Sequence, residues 1–168
     1  MNIIASWGMP NFLRSHLPHD IPAWVPDDSS FFLTVSCSER GRNSIGNEKT
    51  ANILLESVAF RQGMGHWNVK ILLLMPDHLH MIATFNLSRF PVKKVIRDWK
   101  RFLSRMHQIR WQDDFFDHRI RNSESFREKY SYIRENPVRA NLCESAEEWP
   151  YCWNQQEIES LALNFGER

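Results

Sequence analysis

The sequence predicts an α+β fold of the ferredoxin-like kind, a mainly antiparallel sheet with helices packed on it. Three observations predict it. The elements read strand, helix, strand, strand, helix, strand, helix, which is a split β-α-β-β-α-β unit with a helix added. The two middle strands meet at the tight turn Pro76-Asp77, too short for anything but an antiparallel pair. The 168 residues, 42% apolar and 24% charged, have the composition of one globular domain with one sizeable core.

Each element has its own warrant. Pro10, Pro18, Pro22 and Pro26 predict an irregular N-terminal arm over residues 1–28, ahead of a domain at 29–153 and a tail at 154–168. "FFLTVSC" (31–37) is rich in β-formers and predicts a strand, followed by the loop "ERGRNSIGN". Residues 48–62 predict a helix with Ile53, Leu54, Val58 and Phe60 near one face, ended by Gly63 and Gly65. "HWNVKILLLM" (66–75) is a nearly continuous apolar strand, as at a sheet centre, and "HLHMIATF" (78–85) is its return strand. Residues 91–107 predict a helix with the apolar stripe Val92, Val95, Ile96, Trp99, Leu103 and Met106. A loop and short strand are expected over 111–121. A third helix is expected over 123–136, with Ser123 as N-cap and Pro137 as its stop. The tail carries aromatic packing residues and a last short helix.

Several classes are excluded early. The longest apolar run is far too short to span a bilayer, and the N-terminus lacks the pattern of a secretion signal, so a cytoplasmic protein is expected. Cys37, Cys143 and Cys152 form no CxxC pair, which argues for three reduced thiols rather than a zinc ribbon or a disulfide framework. The net charge of +1 conceals an uneven distribution. Residues 89–110 hold eight Lys/Arg against one acid, while the segments before and after are net acidic. Such a concentration attracts a polyanion even on a nearly neutral protein. Lys93, Lys94, Arg97, Lys100, Arg101 and Arg105 are therefore candidate phosphate contacts, with the solvated face of an amphipathic helix as the alternative. Arg119 and Arg121, with His118, are candidates to extend that surface. Trp99 falls in the apolar stripe and reads as core.

The strand at 78–85 carries the chemistry. Side chains at i and i+2 share a face, so His78, His80, Ile82 and Thr84 point one way and Leu79, Met81, Ala83 and Phe85 the other. The second set explains the strand, and the histidine face is expected to lie outside the core. Two imidazoles so placed can chelate one divalent ion, but two ligands alone do not make a site. Tyr132 and Asn136 lie four apart on one face of the third helix. Asn136 offers an oxygen suited to Mg²⁺ or Mn²⁺, and Tyr132 a phenol that needs assistance to act as a nucleophile. By themselves these two residues read more readily as a packed tyrosine and a helix cap before Pro137. Asp77 is either a turn residue or a hydrogen-bond support for His78.

"MPDHLHMIATF", the basic helix, "WQDDFFDHRIRN", "YIRENPVRANL" and "EEWPYCW", in that order, resemble the REP-associated tyrosine transposases, which belong to the single-tyrosine HUH group. The resemblance runs from about Phe31 to Trp153. It implies a domain related to RNA-recognition folds, with Tyr132 as the catalytic tyrosine. It also implies Mg²⁺ or Mn²⁺ at His78 and His80, with Asn136 completing the site. The implied substrate is single-stranded DNA with hairpins, cleaved and rejoined through a 5′-phosphotyrosine by a nucleoid-associated protein. A monomer acting in cis is expected, with a homodimer left open. Tyr130 falls on a different helical face and is the weaker nucleophile.

The first rival is a catalytically silent module of the same fold that binds single-stranded nucleic acid. A histidine-triad hydrolase needs a third alternating histidine, where Ile82 stands. A zinc hydrolase needs a third strong ligand, and His66 and His107 show no ligand spacing.

Overall fold

A computed structural model describes residue 21 and residues 25–166. The expected N-terminal arm therefore falls largely outside the described residues. The elements are β1 (Ser29–Ser36), α1 (Glu48–Gly63), β2 (Asn68–Leu74), β3 (His78–Phe85), α2 (Val92–His107), β4 (Phe116–Ile120), α3 (Ser123–Arg139), β5 (Cys152–Asn154) and α4 (Gln155–Gly166), with a single 3₁₀ turn at Ala146–Glu148. The five strands form one sheet in the order β4-β1-β3-β2-β5, and every pairing is antiparallel. The first four strands have the ferredoxin-like arrangement that the element order predicts. β5 is an addition at the β2 edge that the sequence did not announce.

The sheet is covered on both faces. On one face Phe31, Leu33 and Val35 of β1 and Leu79, Met81, Ala83 and Phe85 of β3 pack against α1, α2 and α4 in the larger core. Trp99 is fully buried there, its indole N–H donating to the Ser57 hydroxyl at 2.9 Å. On the other face Phe32, Ile71, Leu73, Ile82 and Ile120 form a smaller core with Ile133 of α3. The histidine face is therefore not outside the core as expected. Ile82 is fully buried and His80 nearly so, because α3 crosses that face.

The helices depart from expectation in detail. Phe60 and Met106, both placed in apolar stripes, are exposed. Ala51, Leu55 and Ala59 supply the buried contacts of α1 instead. The N-cap of α3 is Asn122, whose side chain accepts from Ser125 N–H, and not Ser123. Pro137 lies inside α3 and does not end it. The end comes at Asn141, in the left-handed region at φ 56°. There Leu142 N–H donates to Pro137 O, and Asn141 N–H donates to Val138 O. This is the Schellman closure, and asparagine is among the few non-glycine residues that take that conformation readily. α4 lies against α1 and buries Ile158 in the larger core, so the expected last helix exists and is packed.

Candidate functional site

The β2–β3 hairpin places the two histidines. Met75 N–H donates to His78 O at 2.8 Å across Pro76-Asp77, which closes the turn. The loop before α1 is pinned to that turn, because Ser44 N–H and Ile45 N–H both donate to Pro76 O. Gly46 allows this approach, since a Cβ there would lie 3.0 Å from Pro76 Cα. From the other side Trp149 donates its indole N–H to Leu74 O, and Leu74 N–H donates to Tyr151 O. The Trp-Pro-Tyr segment thus fixes the end of β2 beside the histidine turn.

His78 and His80 point the same way, with ring centroids 4.8 Å apart. Each has its Nδ1 engaged. His78 Nδ1 lies 2.6 Å from Asp77 Oδ1, and His80 Nδ1 lies 2.8 Å from Thr34 Oγ1. Asp77 also accepts from Gly41 N–H and ion-pairs with Arg40. It is both a turn residue and a support for His78. With Nδ1 occupied, Nε2 of each ring is the remaining donor atom, and no described residue bonds it. That is the arrangement in which an imidazole is fixed in orientation to serve as a ligand.

Burial sets the protonation states. Desolvation pushes the His80 pKa down to about 3, aided by neighbouring His78 and Arg40. Desolvation also lowers that of His78, although Asp77 works against it. Both rings are therefore neutral at pH 7. Burial alone would raise the Asp77 carboxyl, but Gly41 N–H, His78 and Arg40 together hold it below its ordinary value. The pair can hold a divalent ion through two nitrogens. Among the described residues no group of three or more His, Cys, Asp or Glu is arranged to hold one.

α3 brings Tyr132 to the same place. Its ring centroid lies 5.9 Å from that of His80 and 6.0 Å from that of Phe32, edge to face in both cases. Phe32 in turn stacks on His80 at 5.5 Å. Arg139 Cζ lies 5.2 Å from the Tyr132 centroid, and Lys129 Nζ lies 6.0 Å from it and 5.3 Å from that of Phe32. Tyr130 turns instead towards Phe126, at 6.0 Å, and burial raises its phenol pKa. Asn136 is half-buried one turn beyond Tyr132.

No family model matches the chain. Over 87 residues it is 25% identical to a REP-associated tyrosine transposase of Escherichia coli (strain K12), a stretch covering 51% of this chain and 53% of that protein. The chain thus matches about half the length of that curated relative. A solved structure of a REP-associated tyrosine transposase bound to a REP hairpin superposes with a TM-score of 0.63 at 21% identity, covering 79% of this chain and 81% of the other. This chain is similar to REP-associated tyrosine transposases. The similarity to them extends to the α+β fold, and the motifs that carry the sequence resemblance contribute His78, His80 and Tyr132 to one place.

The basic residues are distributed otherwise than the sequence implies. α2 packs through Val92, Val95, Ile96, Trp99 and Leu103 on the face opposite the histidines. Lys93, Lys94, Arg97, Arg101 and Arg105 are exposed on it but do not line the histidine site. Lys94 and Arg97 lie beside Asp98. Lys100 is a correction: it is buried, and its Nζ donates to the carbonyls of Gln112, Asp113 and Asp114 at 2.6, 2.8 and 3.3 Å. It is a clamp on that loop and is not available to phosphate. On β4, Arg119 pairs with Phe31 and so belongs to the α2 face, whereas His118 pairs with Phe32 on the histidine face. Arg121 is exposed just past β4. The sequence reading missed Thr34, Arg40, Lys129 and Arg139. For Thr34 the signal was available: position 34 is two from Phe32 in the alternating first strand. The cations on α3 were outweighed by the denser run on α2.

Proposed function

We propose that the protein cleaves and rejoins single-stranded DNA at hairpin-bearing sequences, with Tyr132 as nucleophile and a divalent ion at His78, His80 and Asn136. The observation that carries this reading is the convergence of Tyr132 on two neutral imidazoles whose Nδ1 atoms are both engaged. The likeness to a REP-associated tyrosine transposase supports the substrate class. Mg²⁺ or Mn²⁺ would take the amide oxygen of Asn136 as its hard ligand beside the two imidazoles, and the chemistry such an ion supplies when bound is polarisation of a non-bridging phosphate oxygen.

The chain's own residues do the rest. The Tyr132 oxygen attacks phosphorus and loses its proton to solvent. The bond from phosphorus to the 3′ oxygen breaks, and that oxygen takes a proton to leave as a 3′-hydroxyl. The DNA 5′ end remains on Tyr132 as a phosphotyrosine. Attack by another 3′-hydroxyl reverses the step, restores the phosphodiester and frees the tyrosine without an external energy source. Arg139 and Lys129 face the tyrosine ring, where their charge meets the phosphates on either side of the break. Asp77 and Thr34 hold the two imidazoles in orientation, and the Asp77 carboxylate, an acceptor only, favours the proton on His78 Nδ1.

The alternative is a binding-only module of the same fold, which would hold the strand without cutting it. The deciding experiment incubates the protein with Mn²⁺ and end-labelled hairpin oligonucleotides. A protein–DNA band that survives boiling in detergent, and is lost with EDTA and with Tyr132→Phe, is the expected result. Cleavage by Tyr132→Phe equal to wild type removes the nucleophile assignment. Retained binding without any covalent band, across varied hairpins, leaves the binding module.

A further inference from the structure

We propose that Phe116 is a stacking platform for one unpaired nucleobase of the DNA strand that enters the histidine site. The inference rests on the single-stranded DNA reading above. β4 is the edge strand beyond β1, and α3 does not reach all of it. Phe116 pairs with Thr34, and Thr34 pairs with His80, so the three stand in one row on one face of the sheet. Neighbouring strands lie about 4.8 Å apart, which sets Phe116 roughly 10 Å from His80. That is close enough for a base near a phosphate held at the histidines.

Its exposure makes this side chain unusual. The phenyl is 55% exposed on a sheet face whose other large apolar groups are covered by α3. It is not an isolated surface residue. It meets Phe32 edge to face at 6.2 Å, Phe32 stacks on His80, and Tyr132 closes on both. An aromatic row thus runs from the proposed reaction centre to the sheet edge and ends in a ring that is more than half exposed. The charge around it is complementary to a polyanion. Lys129 and Arg139 lie over the row, and His118 is two residues away on the same face of β4. Aromatic faces interleaved with cations are what single-stranded nucleic acid requires, bases for the rings and phosphates for the charges. Inside a duplex the bases are already stacked on one another, so the platform suits an unpaired base.

The test measures binding of two labelled probes, a 20-nucleotide oligo-dT and a hairpin flanked by oligo-dT, in EDTA so that no cleavage intervenes. Phe116→Ala and Phe116→Leu are expected to weaken binding about tenfold, and Phe116→Trp to retain it. All three should melt at the wild-type temperature, since the side chain is open. The slope of log affinity against log salt should not change, because stacking releases no counterions, whereas Lys129→Ala should make it shallower. Affinities for Phe116→Ala and Phe116→Leu within twofold of wild type overturn the platform and leave the DNA reading intact. Failure of the wild type to bind either probe overturns both.

Discussion

At the residue scale the site depends on two imidazoles that burial keeps in their neutral form. Thr34 is the partner of His80 Nδ1, and it lies on a different strand, so the pairing of β1 with β3 sets the ligand's orientation. Thr34→Val keeps the shape and removes the hydroxyl. Mn²⁺ affinity measured by calorimetry should then fall roughly 10- to 100-fold, the usual cost of losing such a partner, while an unchanged affinity would show that packing alone orients the ring. Protonation gives an independent check. The unfolded chain protonates His80 near 6.5, but the folded one only near 3. Between those values the unfolded state binds more protons, so stability declines as pH falls from 6.5. The limiting slope is about 1.4 kcal/mol per pH unit for this one group. His78, lowered by burial, acts in the same direction. Asp77 adds to the loss at lower pH, because a carboxyl held below its ordinary value loses its contribution on protonation. Urea denaturation in EDTA should show wild type losing stability from pH 7 to pH 5, with a smaller loss in His80→Gln. Equal slopes would mean that His80 is protonated in the native state.

At the element scale local rules place the apolar face of β3 correctly, miss the burial of its histidine face and misread the end of α3. In β3, period-two alternation and the buried face agree, so Leu79, Met81, Ala83 and Phe85 were legible as core. Around Pro137 the rule that proline stops a helix competes with tertiary packing. Pro137 is buried, and the Schellman closure at Asn141 lies four residues further on, where sequence alone gives only a weak signal. The start of α3 depends on Asn122, whose side chain accepts from Ser125 N–H at 2.8 Å. Asn122→Ala should cost roughly 0.5–2 kcal/mol in denaturation, and Asn122→Asp much less. Lys100 was unreadable for a different reason. A charge count cannot reveal that three carbonyls of the 112–114 loop converge on one ammonium. Lys100→Met should destabilise the protein by roughly 1–3 kcal/mol, since those acceptors lose their donor in a part-buried setting. Arg101→Met on the exposed side should be nearly neutral, and equal effects of the two would return Lys100 to the surface.

At the scale of the whole molecule the sheet divides the charge. The histidine turn, Tyr132, Lys129, Arg139 and His118 belong to one face, and the dense basic run of α2 belongs to the other. The linear sequence makes the α2 run the obvious DNA surface, because it reports how many charges a segment carries and not which side of a sheet that segment covers. Layers stacked on a sheet lie on the order of 10 Å from it, as two packed sheets do, and the exposed side of α2 faces away from the histidines. The Debye length at physiological salt is about 8 Å, so most of the α2 field is screened before it reaches the site. The two charge sets should therefore separate in experiment. Replacing Lys93, Lys94, Arg97, Arg101 and Arg105 together by Gln should weaken DNA binding at low salt and make the salt dependence shallower by up to about 0.7 per contact actually made. It should leave the rate of covalent complex formation at saturating DNA within about twofold of wild type, because uniform binding does not alter the chemical step. Replacing Lys129 and Arg139 by Gln should do the reverse, lowering that saturated rate by roughly tenfold or more through the charge lost beside Tyr132. A saturated rate that falls as far with the α2 variant as with the α3 variant would mean that the bound strand wraps the sheet edge and engages both faces at the moment of cleavage.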